Sequence, residues 1–98
     1  MSTKKVALIS GANKGIGLET ARQLGKQGIV VLVGARDLSR GEAAAEQLKK
    51  EGIDARALQF DVVNTNQVKA AADEIEKEFG KLDILINNAG VMFEPIGG

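Results

Sequence analysis

Four short apolar runs, Val6 to Ile9, Ile29 to Val33, Ala55 to Phe60 and Leu82 to Ile86, punctuate this chain, and none alternates apolar with polar residues. Runs of that length without alternation mark strands buried on both faces, the condition of a parallel sheet covered by helices. The spans between the runs are of helical length. In the last of them Val68, Ala71, Ala72, Ile75 and Phe79 follow the i, i+3, i+4, i+7, i+11 spacing, opposite Asp73, Glu74, Lys77 and Glu78. That spacing predicts an amphipathic helix lying on a sheet.

Glycines mark the ends of these spans. Gly28, Gly52 and Gly80 each stand just ahead of the next apolar run, where a left-handed helix C-cap suits glycine. Ser39-Arg40-Gly41-Glu42 fits a capping box opening the middle helix, and Asp37 is expected to cap or enter that helix, where its charge suits the dipole. Strands linked through helices pair in parallel by right-handed crossovers. The expected architecture is therefore α/β and doubly wound, a partial three-layer fold with a parallel sheet, and its strand order is taken as 3-2-1-4. The first two helices then lie on one face and only the third on the other, leaving the fourth strand as a bare apolar edge that invites another strand.

Composition narrows the function. With 98 residues the chain is one domain, and at that size roughly 60 to 70% of the unfolded surface is hidden, enough for a core. Thirteen basic residues balance thirteen acidic ones, so no electrostatic footprint for nucleic acid or an anionic membrane is expected. The absence of cysteine and histidine removes disulfides, thiolate or imidazole metal sites and histidine-activated nucleophiles. No metal site is expected from carboxylates either, since nothing brings several of them together from different elements. The first apolar run is too short for a signal-peptide core, and no run approaches a membrane span, so a cytoplasmic chain is expected.

Between the first run and the first helical span lies Gly11-Ala12-Asn13-Lys14-Gly15-Ile16-Gly17. Glycines there allow a tight turn and a close approach of backbone to ligand, and the helix that follows presents N–H groups and a positive dipole end to a pyrophosphate. A second block, Asn87-Asn88-Ala89-Gly90, ends the fourth run. The Gly-x-x-x-Gly-x-Gly spacing and the Asn-Asn-Ala-Gly block together resemble the short-chain dehydrogenase/reductase family. The resemblance runs from about Lys4 to Val91 but covers only the front part of a complete member. It is most similar to carbonyl reductases, through Ser10 to Gly17 and Gly34-Ala35-Arg36-Asp37.

The resemblance implies a cofactor and its ligands. Family members bind NAD or NADP in a Rossmann-like crevice, with a carboxylate after the second strand for NAD and cations there for the 2′-phosphate of NADP. Ala35 and Arg36 stand at that place, and Lys14 adds a basic residue inside the glycine turn, which implies NADP(H). A guanidinium offers the phosphate a fork of donors. The alternative is that Lys14 and Arg36 are solvated loop charges, with Asp37 partly neutralising Arg36. Asp61 matches the family aspartate that accepts a hydrogen bond from the adenine amino group, with Val62 alongside the ring; it fits equally the start of a turn or a helix cap near Asn64. Asn88 resembles the residue that brace the sheet centre, Ala89 and Gly90 let the ribose come close, and Ile16 faces the nicotinamide side. The implied cofactor-binding set is Gly11, Asn13, Lys14, Gly15, Ile16, Gly17, Arg36, Asp61, Val62, Asn88, Ala89 and Gly90.

The family's hydride chemistry, between NADP(H) and a small carbonyl or alcohol substrate, requires a tyrosine as general acid. This chain has none, so no catalytic residue is assigned. Residues 1–98 are therefore expected to form a single NAD(P)-binding domain, the N-terminal portion of a longer oxidoreductase, present as a truncated chain or gene fragment and inactive alone. Two alternatives remain: a designed or degenerate half-fold that self-associates through its fourth strand, or an enzyme completed by a missing C-terminal half on a separate chain.

Overall fold

A computed structural model of the chain describes residues 4–12, 15–61 and 65–87. Its elements follow in strict alternation: β1 (Val6–Ser10), α1 (Gly15–Lys26), β2 (Val30–Ala35), α2 (Leu38–Lys50), β3 (Ala55–Gln59), α3 (Thr65–Phe79) and β4 (Ile84–Asn87). All strand pairs are parallel and the order is β3-β2-β1-β4, the order expected.

The two faces are packed by different helices. Ala7 and Ile9 of β1 with Val31 and Val33 of β2 meet Ala21 of α1 and Ala44, Ala45 and Leu48 of α2. On the other face Val6, Leu8, Val30, Leu32 and Leu58 meet Ala71 and Ile75 of α3, with Phe79 packed against them. Alternate residues of β1 thus enter opposite cores, which is why its sequence shows no alternation. Each large side chain so buried contributes roughly 1.5–3 kcal/mol.

Helices α1 and α2 end alike. Gly28 and Gly52 take φ of 89° and 86°, a conformation in which a Cβ would be strained. Each is followed by an isoleucine whose N–H returns to the last helical turn: Ile29 to the Leu24 carbonyl and Ile53 to the Leu48 carbonyl, at 3.4 and 3.1 Å. Together with the bonds from the Gly28 N–H to the Gly25 carbonyl and from the Gly52 N–H to the Lys49 carbonyl, this satisfies carbonyls that the helix leaves open and seats the isoleucine on the core. Gly80 likewise has φ 75° after α3. A two-pronged pair from Arg22 to Glu51, 2.8 and 3.1 Å, joins α1 to the C-cap of α2.

Three expectations are corrected. The middle helix does not start with a Ser39 to Glu42 box: Asp37 is the N-cap, and its Oδ1 accepts from both the Ser39 N–H and the Ser39 hydroxyl. β3 is not buried on both faces, since Arg56 and Gln59 are exposed. The α3 stripe is covered only in part: Ala71 and Ile75 are buried, whereas Val68 is 36% accessible and Ala72 is exposed. A single helix on that face cannot cover four strands, and Leu85 of β4, on the same face as Leu8, is 59% accessible.

Candidate functional site: the carboxyl ends of the strands

Helix α1 carries the chain from β1 to β2 on one side, whereas β4 lies on β1's other side. The carboxyl ends of β1 and β4 therefore flank a point where the winding reverses, and such a point opens a crevice in a parallel sheet. The register lines up Ser10 with Gly34 and with Asn87, and Ala35 with Gln59, so the residues that follow all four strands start from one rim.

The glycine turn occupies this rim. Gly11 and Gly15 have φ of 65° and 62°, values that side chains resist. Between them the buried Ala12 donates its N–H to the Gly34 carbonyl at 3.2 Å, fastening the turn to β2. Gly15 opens α1 and Gly17 is buried in its first turn. That turn contains no acidic residue, so nothing in it opposes the positive end of the helix dipole. Ile16 stands 79% accessible beside it.

Arg36 follows the last residue of β2, and its side chain is exposed and makes no ion pair among the described residues. Its acidic neighbour is engaged elsewhere. The Asp37 carboxyl is held below the usual carboxylate range, first by the Ser39 hydroxyl and then by the Ser39 N–H, and its ion pair is with Arg40 at 3.8 Å. Asp37 thus serves α2 and pairs with Arg40, not with Arg36. Phe60 donates its N–H to the Ala35 carbonyl at 2.9 Å, which brings the half-buried Asp61 beside the end of β2.

Gly11, Gly15, Ile16, Gly17, Arg36 and Asp61 are therefore gathered on one rim. Asn13, Lys14, Val62, Asn88, Ala89 and Gly90 lie outside the described residues. Sequence reasoning missed a link between the two motif blocks: the Ser10 hydroxyl, wholly buried, donates to Asn87 Oδ1 at 2.9 Å. Each residue ends its strand, and the two meet only through the sheet register. Among the described residues no group of acidic side chains could hold a metal ion, and no helix is long and apolar enough to cross a membrane.

A family model described as short chain dehydrogenase matches residues 5–97. The chain is 46% identical over 95 residues to carbonyl reductase (NADPH) 1 of Sus scrofa and 47% identical over 95 residues to carbonyl reductase (NADPH) 3 of Homo sapiens. Those alignments cover 95% of this chain and 32% and 34% of the relatives. Menthone neomenthol reductase of Mentha piperita is similar in structure, with TM-score 0.86 and 46% identity over 91% of this chain and 32% of that one. An actinorhodin polyketide ketoreductase solved with NADPH gives TM-score 0.84 and 38% identity over 92% and 35%. The chain thus spans about a third of the length of the curated relatives it matches.

Proposed function

This chain belongs to the short-chain dehydrogenase family, and on that premise we propose that residues 1–98 are a single NADP(H)-binding domain of a longer oxidoreductase. The complete protein transfers hydride between NADP(H) and a carbonyl or alcohol substrate. One observation carries the cofactor assignment: the left-handed glycine turn fastened to β2 stands on the same rim as an arginine whose neighbour in sequence, Asp37, is committed to a helix cap. The names of the relatives, which include NADPH, support the same choice.

The chain's own residues divide the work. Gly11, Gly15 and Gly17 let the backbone approach the pyrophosphate, and the N–H groups of the first turn of α1 donate to it. Arg36, with Lys14, holds the 2′-phosphate through charge-assisted hydrogen bonds. Asp61 accepts from the adenine amino group with Val62 against the ring. Asn13 belongs to the same cofactor-binding set, Ile16 faces the nicotinamide, Asn88 braces the sheet centre, and Ala89 and Gly90 let the ribose come close. The bound dinucleotide supplies the hydride. No tyrosine stands among the 98 residues, so this chain by itself holds and orients the cofactor without supplying the proton that the carbonyl oxygen takes up.

Calorimetric titration with NADPH beside NADH, at equal ionic strength, tests this reading. NADPH is expected to bind more tightly, and Arg36→Asp to reverse the order by about tenfold or more in the affinity ratio. An unchanged ratio in that variant rejects the assignment. The accessibility of Leu85 on β4 favours a second reading, a non-catalytic half-fold that pairs with another copy of itself. Sedimentation at micromolar concentration without nucleotide separates the two, since a monomer that binds NADPH rules out self-association as the chain's role.

A further inference from the structure

The four residues that carry the chain out of β2 are each fastened by a different group. The Gly34 carbonyl accepts from the N–H of Ala12 in the glycine turn, and the Ala35 carbonyl from the N–H of Phe60. The Asp37 carboxylate accepts from Ser39. Between these, the Arg36 carbonyl accepts from the side-chain amide of Gln59, Nε2 to O, at 3.2 Å. Three of the four fastenings belong to the main chain or to a helix cap. The fourth is a long-range contact made by a removable side chain, and it falls on the residue assigned to the 2′-phosphate.

We propose that Gln59 is a specificity-positioning residue: by fixing the Arg36 peptide it presets the guanidinium for the 2′-phosphate, and so sharpens the choice of NADPH over NADH. The proposal rests on the NADP(H) reading of this site. Its physics is preorganisation, since a peptide already held in place loses less freedom when Arg36 closes on a phosphate. The residue type fits the task. A carbonyl needs a donor, the register sets Gln59 beside Ala35 so that a long side chain spans one residue forward, and a neutral amide neither repels the phosphate nor competes for it. A glutamate there would lose the donor and add a repelling charge. Gln59 is also exposed on an outer strand, so its side chain contributes little to the core.

The test is a double-mutant cycle on the 98-residue chain, with NADPH and NADH affinities read by calorimetry. Gln59→Met, which keeps the length without the donor, is expected to weaken NADPH binding about two- to tenfold and to leave NADH binding and the thermal midpoint unchanged. In an Arg36→Ala background the same substitution is expected to have no further effect on NADPH. A merely structural role would weaken both dinucleotides equally and would persist without Arg36. Retention of the wild-type preference by Gln59→Met, equal losses for both cofactors, or an effect that survives Arg36→Ala overturns the proposal while leaving the cofactor reading standing. A wild-type chain with no preference for NADPH removes that reading and this inference together.

Discussion

The two outer strands of the sheet are finished differently. On β3, Arg56 extends to Glu78 of α3 at 2.7 Å and lies over the Phe79 ring, 5.1 Å from its centroid, while Gln59 reaches the Arg36 carbonyl. Charged and polar side chains there discourage a further strand. β4 has no charged residue from Ile84 to Asn87; Ile84 and Ile86 pack against the α1 and α2 side, and Leu85 is 59% accessible on the other. β3 therefore has the composition of an outer strand and β4 that of an interior one. Position in the sheet and fitness for that position are separate properties, and this chain has them matched on one side only.

Paired truncations measure that mismatch directly. Ile9, wholly buried on β1, has a neighbour in Ile86, next to Leu85 in β4. Ile9→Ala is expected to cost about 2–5 kcal/mol, against a total stability for a domain of this size of about 5–15 kcal/mol. Leu85→Ala is expected to stay within about 0.5 kcal/mol. Urea midpoints of the two variants read both. A core-like cost at Leu85 would mean that another copy or another segment covers β4 in solution, and the contrast between the two edges would vanish.

The same contrast explains what was legible in the sequence. Glycine ends were readable because Gly28 and Gly52 are each followed by an isoleucine, so conformation and core contact are written side by side. Of the two starts the sequence offers for the middle helix, the Ser39 to Glu42 pattern fails and Asp37 holds, because Asp37 offers a charged acceptor that captures both Ser39 donors. Arg56 and Gln59 were absorbed into an apolar run although their polarity marks an outer strand. At the site, the glycines and Arg36 could be identified because their requirements are local: a left-handed backbone and a charge. The Ser10 to Asn87 bond spans 77 positions and the Gln59 to Arg36 bond 23. Neither exists until the sheet register has formed, so no local pattern announces them.

Acid tests how β4 is held. Asp83, just before the strand, accepts the Val6 N–H at 2.8 Å through Oδ2 and lies 3.3 Å from Lys81 Nζ. Its carboxyl is held below the ordinary value of 3.8, chiefly by that backbone hydrogen bond and also by Lys81 and Lys5. A carboxyl lowered by folding contributes stability in full above its unfolded value, and that contribution is lost as pH falls through the lower folded value. Stability is thus expected to decline below about pH 4, and Asp83→Asn to remove part of that dependence. Hydrogen exchange should show the Val6 amide losing protection before the amides of β2. Equal loss along both strands would mean that acid acts on the sheet as a whole, through the lowered carboxyls of Glu19, Asp37 and Glu51 as well.

An equally small change in stability is expected at the guarded edge. Arg56 and Glu78 are about half exposed, 53% and 42% of their side chains, and ion pairs in that setting contribute about 0–1 kcal/mol. Arg56→Met keeps an aliphatic stem on Phe79 while removing the charge, so the urea midpoint should move by no more than about 0.5 kcal/mol. Its consequence should instead appear in association, because β3 then loses the charge that deters a partner strand. Sedimentation of Arg56→Met is expected to show more self-association than the parent at equal concentration, and adding Leu85→Lys should reverse only the part that runs through β4. If Arg56→Met destabilised the fold without changing association, the arginine would be a structural tie between β3 and α3. The asymmetry between the edges would then reflect packing, with no protective role for the charge.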